Sequence, residues 1–200
     1  LKEMLKSLGQ PSFRADQLFR WLQSGVTDFS DMTNIPKSLR DKLSETAYIA
    51  DVKIVKRYAS QLDETVKYVY ELFDGEYIES VLMKYEHGYT VCVSTQVGCR
   101  MGCSFCASGI NGLTRNLTAS EILAQITAAE RDNGIRVSNI VMMGMGEPLD
   151  NFENSVRFLK LASDENGLNI GLRHISLSTS GVVNGIKRLK EYNLPITLSI

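Results

Sequence analysis

Hydrophobic and polar positions change period twice along this chain, dividing it into three zones. In residues 1–47 the apolar positions recur at helical intervals. Phe13, Leu18, Phe19, Trp21 and Leu22 fall on one helix that Ser12 can cap and Gly25 can end. Asp28 to Asn34 reads as a short polar connector, and Pro36 suits the opening turn of a second helix through Leu39 and Leu43. This zone is expected to be a small helical accessory domain with its own aromatic cluster. Residues 48–90 take a period of two, with Val66, Tyr68, Tyr70 and Leu72 alternating with Lys67 and Glu71. Asp74-Gly75 marks a hairpin, Tyr77 to Lys84 the next strand and Gly88 a further turn. The zone reads as an antiparallel β meander leading into a strand from Val91 to Thr95.

Residues 91–200 alternate strand and helix. Thr118-x-x-Glu121 is a capping box opening an amphipathic helix on Ile122, Leu123 and Ile126, which Gly134 ends. Ser138 to Met143 is a buried strand, and Asn151 or Asn154 starts a helix using Val156, Phe158, Leu159 and Leu161. A strand from His174 to Ser178, a helix from Val182 to Tyr192 and a strand from Ile196 to Ile200 complete the pattern. Such alternation implies right-handed parallel crossovers and an α/β fold. A closed eight-unit barrel needs about 250 residues, so these units form an open piece or part of a larger barrel.

Composition narrows the class. Apolar residues at 44% and charged residues at 22% are those of a soluble globular protein. No apolar run suits a bilayer and no secretory pattern opens the chain, which points to a cytoplasmic protein where disulfides are disfavoured. The formal net charge of -1 gives no support to nucleic-acid binding and leaves room for a local basic patch. Lys2, Lys6, Arg14, Arg20, Lys37, Arg40 and Lys42 are nearly balanced by acids and read as a solvated surface. A first residue of Leu1 and a last strand ending at Ile200 as a raw edge suggest a piece of a longer chain.

Against this background VGCRMGCSFCASG, Val97 to Gly109, crowds three of four cysteines into one loop. Cys99, Cys103 and Cys106 follow the first parallel strand, where α/β folds place chemistry. Gly98, Gly102 and Gly109 allow the backbone to fold tightly there. Structural zinc would need a fourth donor from Cys92, His87 or His174. Three thiolates on a four-iron cubane leave one iron open to bind something else, and soft thiolate suits iron–sulfur. Met142 to Pro148, MMGMGEP, places glycines for close backbone approach beside Glu147, which can accept from an ammonium. Read blandly, that motif is a turn with a solvated carboxylate, Ser178 in STSG is a turn residue, Cys92 a small core residue and Glu79 the solvent face of a strand.

The run Cys99, Cys103, Phe105 and Cys106 resembles the signature of the radical S-adenosylmethionine enzymes, whose partial (β/α)6 barrel fits the alternation above. GQPSFRADQLFRWL, TVCVSTQVGCRMGCSFCASG, IVMMGMGEPLDN and RHISLSTSGVV together resemble, over essentially the whole chain, the family members that methylate adenine carbon-2 in 23S ribosomal RNA and transfer RNA. The resemblance implies a [4Fe-4S] cluster on Cys99, Cys103 and Cys106, and S-adenosylmethionine contacts from Gly146, Glu147, Ser178 and Phe105. It implies Glu79 as proton acceptor and Cys92 as a resolving cysteine forming a transient disulfide with a cysteine beyond residue 200. It also implies a methyl-cysteine intermediate, a 5′-deoxyadenosyl radical, a flavodoxin or ferredoxin as reductant, a monomer, and RNA contacts from the helical domain. No cysteine follows Cys106, so the methyl-carrying cysteine of the family is not among these residues, and the chain alone is expected not to turn over. The related carbon-8 methyltransferases share nearly all these motifs. A zinc-stabilised RNA-binding module without catalysis, and a radical enzyme acting on a small molecule, are the readings from other classes.

Overall fold

The computed structural model describes residues 1–200. Three helices come first: α1 (Lys2–Ser7), α2 (Phe13–Gln23) and α3 (Lys37–Thr46). Pro36 stands at the N-cap position of α3, where its carbonyl accepts from Leu39 N and Arg40 N. Ser12 does not cap α2 with its side chain, because its backbone is already helical. The segment from Asp28 to Asn34 is also more than a polar connector. Asp28 accepts from Ser30 N at 2.7 Å and starts a 3-10 turn that buries Phe29, with Met32 buried just beyond. The small core of this region is therefore mainly aliphatic, built on Leu5, Leu18, Met32, Leu39 and Leu43 around Phe29. Phe13, expected inside, is 53% exposed.

Seven strands form one mixed sheet. β1 (Lys53–Ala59), β2 (Val66–Glu71), β3 (Tyr77–Tyr85) and β4 (Gly88–Cys92) run antiparallel in sequence, and β4 then pairs in parallel with β7 (Val137–Met142). β8 (Ile175–Ser178) and β9 (Thr197–Ser199) continue in parallel beyond β7. The expected strand from Val91 to Thr95 thus starts earlier and ends at Cys92. The meander and the parallel part share β4, in a single sheet ordered β1-β2-β3-β4-β7-β8-β9. The connection from β4 to β7 contains a hairpin that the residue pattern does not announce, β5 (Gln96–Gly98) against β6 (Leu113–Asn116).

The sheet's two faces differ. Tyr68, Tyr70, Ile78, Leu82, Val91, Ile140, Met142, Ile175 and Leu177 point to the side packed by helices and are almost fully buried. Packed there are α4 (Ala119–Asn133), α5 (Phe152–Ala162) and α6 (Val183–Glu191). In α4 the Thr118 and Glu121 capping box forms as expected and Gly134 closes the helix. The alternate positions, among them Lys67, Val69, Glu79, Val81 and Cys92, line the opposite face, which no helix covers. The parallel crossovers and uncovered face are those of a partial barrel rather than a closed one. No helix is long and apolar enough to cross a membrane.

The helical region docks on the end of α4. Arg131 donates to Gly25 O at 2.7 Å and pairs with Asp51 at 3.0 Å, while the buried Gln23 side chain accepts from Leu168 N at 3.3 Å.

Two measurements check this packing. Leu43→Ala removes a fully buried side chain and is expected to cost about 2–5 kcal/mol in urea unfolding. Phe13→Ala, at an exposed site, is expected to change stability by less than about 0.5 kcal/mol. Second, burial pushes the Glu130 carboxyl above its usual range, although it accepts from Val137 N at 2.8 Å. A raised folded value means that its contribution to stability is present at acid pH and is lost as pH rises through that value. Glu130→Gln is therefore expected to gain stability relative to the parent as pH rises from about 4 to neutrality.

Candidate active site at the carboxyl ends of the parallel strands

Three turns meet beside one another because β4, β7 and β8 are neighbours: those after Cys92, after Met142 and after Ser178. The first begins with Ser94-Thr95-Gln96, which is wholly buried. Strand pairing stops there, so side-chain amides take over. The Gln125 side chain from α4 accepts from Ser94 N at 2.8 Å and donates to Ser94 O at 2.9 Å. Ser94 Oγ donates to Glu79 O at 2.6 Å and accepts from Met145 N at 2.9 Å. Asn151 Nδ2 donates to Thr95 O at 2.8 Å and Leu117 O at 2.7 Å. Gln96 accepts from Glu147 N at 2.8 Å and donates to Asn116 and Asp150, each at 2.8 Å. None of these amides is marked by a motif. Their only signal is polar residues at positions where the period demands burial.

The cysteine loop is the tip of the β5–β6 hairpin. Its base closes where Cys99 N donates to Gly112 O at 3.0 Å. Only glycine fits at residue 98, because φ is 73° and a Cβ would lie 2.0 Å from Gly112 O. Within the loop Cys106 N donates to Cys103 O at 3.0 Å, and Arg100 ties the loop to Asp150 at 2.9 Å. Cys99 and Cys103 are half-buried, Cys106 is exposed, and Phe105 projects at 91% exposure. All four cysteines are free thiols. The transient disulfide implied for Cys92 therefore has no counterpart here, its implied partner lying outside these residues.

The second turn leans on the first. Gly144 N donates to Val93 O at 3.1 Å, and Met145 O accepts from Thr95 N at 2.8 Å. Gly146 has φ of 99°, and a Cβ there would meet Gln96 at 2.5 Å. Glu147 is only 3% exposed and joins the second turn to the third. One carboxylate oxygen accepts from Leu149 N at 3.0 Å, and the other from Ser180 N at 2.8 Å and Ser180 Oγ at 3.0 Å. It is thus no solvated carboxylate, and an incoming ammonium would share it with Ser180. Ser178 ends β8, half-buried and paired with Ser199 of β9.

The donor set fits an iron–sulfur cluster. Burial pushes the Cys99 thiol up, a hydrogen bond from the Met101 backbone opposes the rise and the nearby Glu147 adds to it, and a cationic centre bound to the sulfur would reverse it. No three His, Cys, Asp or Glu side chains converge on one ion. Convergence on a point is the requirement of single-ion zinc, whereas in a cubane each thiolate meets its own iron. His87 and His174 precede β4 and β8, at the opposite ends of those strands. The Thr95 hydroxyl is buried without a partner where β4 passes into this hairpin.

Glu79 and Cys92 lie on the uncovered sheet face. Cys92 ends β4 between Val81 and Val141, and burial pushes its thiol up. Glu79 is two residues from Val81 on the same face and pairs with Lys67 at 2.8 Å, a partner the sequence pattern does not single out. The structure thus gathers Cys99, Cys103, Cys106, Gly146, Glu147 and Ser178 around three adjacent turns, sets Glu79 and Cys92 on the neighbouring face, and leaves Phe105 in solvent.

The amide clamp is testable. Gln125→Leu strands a buried N–H and a buried C=O of Ser94, each worth about 1–3 kcal/mol when unmade. The variant is expected to lose about 2–6 kcal/mol of stability, with faster hydrogen exchange at the Ser94 amide than at Ile140.

Comparison with known proteins agrees with this geometry. Residues 1–49 match the family model described as ribosomal RNA large subunit methyltransferase N-terminal domain, and residues 93–200 match that of the radical SAM superfamily. A relative from Alkaliphilus oremlandii, named probable dual-specificity RNA methyltransferase RlmN, is 52% identical over 200 residues, covering 100% of this chain and 58% of its own length. One of the same name from Clostridium novyi is 51% identical, with 100% and 59% covered. The chain therefore spans under three fifths of these relatives. The crystal structure of a radical SAM methyltransferase from Sphaerobacter thermophilus superposes with a TM-score of 0.91 at 44% identity, covering 98% of this chain and 59% of that one. With the superfamily model matched over more than half its residues, including the cysteine hairpin and the Gly144–Glu147 turn, the chain belongs to the radical SAM superfamily.

Proposed function

We propose that this chain is the cluster-bearing part of an RNA methyltransferase that places a methyl group on carbon-2 of an adenosine in 23S ribosomal RNA and in transfer RNA. The observation that carries the reading is the hairpin loop presenting Cys99, Cys103 and Cys106 beside the turns of Glu147 and Ser178. RNA as substrate class rests on the printed names of relatives about half identical over the whole chain. When bound, the cluster and S-adenosylmethionine supply one-electron chemistry that no side chain can perform.

The chain's own residues divide the remaining work. Cys99, Cys103 and Cys106 would hold the cluster by three of its irons, which would leave the fourth open to the methionine end of S-adenosylmethionine. Gly146 would give that end close approach to the backbone, and Glu147, already fixed by Ser180, would receive its ammonium. Ser178 would meet the ribose, and Phe105, exposed on the cysteine loop, would contact the adenosyl group. Glu79 accepts the proton that leaves the substrate carbon, and Lys67 holds its carboxylate near the sheet face. Cys92 would resolve the covalent enzyme–RNA adduct, forming a disulfide with a second cysteine as that cysteine's bond to the methyl-derived carbon breaks and the carbon takes up a proton. No cysteine follows Cys106, so in this reading the cysteine that carries the methyl group and pairs with Cys92 lies outside these 200 residues.

Anaerobic reconstitution with iron and sulfide is expected to give the chain broad visible charge-transfer absorbance and to form no methyladenosine by itself. Cys103→Ala should lose most of the bound iron while keeping its helical content. A colourless protein taking up one zinc per chain would overturn the proposal. Mass spectrometry of RNA treated with the complete protein distinguishes carbon-2 from carbon-8 methylation.

A further inference from the structure

Apart from Glu79 and Lys67, the residues on the uncovered face of β1, β2 and β3 have no role in the chemistry above, yet the face is built unlike an ordinary solvated sheet. A shallow cavity of about 750 Å³ lies on it. Val55 and Val69 supply apolar surface, Lys56 and Lys67 positive charge, and Tyr58 and Tyr77 aromatic rings, with Glu79 also in the lining. Tyr58 and Tyr77 are 54% and 52% exposed, and neither stacks on another ring.

The register sets out this face in three rows. Lys53, Glu71 and Tyr77 form one, Lys56, Val69 and Glu79 the next, and Tyr58, Lys67 and Val81 the third. The two tyrosines therefore stand at opposite corners, two strands and four residues apart. At about 4.8 Å between strands and about 3.3 Å per residue that separation is roughly 16 Å. Lys53 pairs with Glu71 and Lys67 with Glu79, which leaves Lys56 as the unpaired cation in the middle row. The third row ends at Val81, whose register partner is Cys92. The face is thus continuous with the one carrying the proposed proton acceptor and resolving cysteine.

Exposed aromatic rings on an antiparallel sheet, spaced by apolar and cationic side chains, are the arrangement that stacks unpaired bases. Lysines on an edge strand also discourage unwanted strand addition, but that role explains neither the tyrosines nor the valines between them. We propose that this face is a stacking platform for single-stranded RNA flanking the target adenosine. Tyr58 and Tyr77 each hold a base, and Lys56 meets the backbone between them. This inference rests on the RNA reading above and names the path by which the strand reaches Glu79 and Cys92.

The test measures binding of the 200-residue chain to a fluorescent single-stranded RNA oligonucleotide and to a duplex of the same sequence. Tyr58→Ala and Tyr77→Ala should each weaken single-strand binding about tenfold, while Tyr58→Phe and Tyr77→Phe retain it. Lys56→Ala should lower the slope of binding against salt by about one unit. Unchanged circular dichroism and melting of the variants would exclude a folding defect. If the parent binds single strands and the alanine variants bind them equally well, the platform is overturned and the RNA reading stands. If the parent assembles its cluster but binds neither RNA, the platform is overturned, and the RNA reading is decided separately by methyl transfer from the complete protein.

Discussion

Strand β4 pairs antiparallel with β3 on one edge and parallel with β7 on the other, and the placement of every functional group depends on that. The antiparallel edge places Glu79 two residues along β3 from Val81, the register partner of Cys92, on the same face. The parallel edge forces a long crossover after Cys92, since parallel neighbours cannot be joined by a short hairpin. That crossover is where the chain inserts the β5–β6 hairpin and its three thiols. One strand thus sets both the uncovered face and the turn cluster above it.

The cost of this arrangement is a stretch of backbone that leaves the sheet while still buried. Ser94, Thr95 and Gln96 have no strand neighbours for all their polar groups, and an unmet buried donor or acceptor is expensive. Gln125, Asn151 and Gln96 meet the need with amides, each able to donate and accept at once. The cysteine loop is consequently mounted on fixed backbone. Glu147 does the same for the turns after β7 and β8.

Much of this was legible in the sequence. The period change near residue 48, the Asp74-Gly75 turn and the Thr118 capping box follow local rules, and local rules hold in the structure. The thiol triplet could be read as a ligand set because few roles demand three cysteines in one loop. What was not legible is non-local. Phe29 and Met32 look like parts of a connector until α2 and α3 close over them. The aromatic residues of α2 suggest a core, yet Phe13 faces solvent because the helix turns its aliphatic side inward. Gln125 looks like any polar helical residue, and only its position opposite the end of β4 makes it a clamp. Ser180, the partner of Glu147, is adjacent to it only through the pairing of β7 with β8.

The proposed function rests on coordination: three thiolates on one hairpin would hold a cluster whose remaining iron is free for a small-molecule ligand. Mössbauer spectroscopy of the chain reconstituted with isotopically enriched iron, with and without S-adenosylmethionine, measures this directly. One iron in four should change its coordination when S-adenosylmethionine is added, while three stay as they were. Four irons indifferent to the addition would contradict the account.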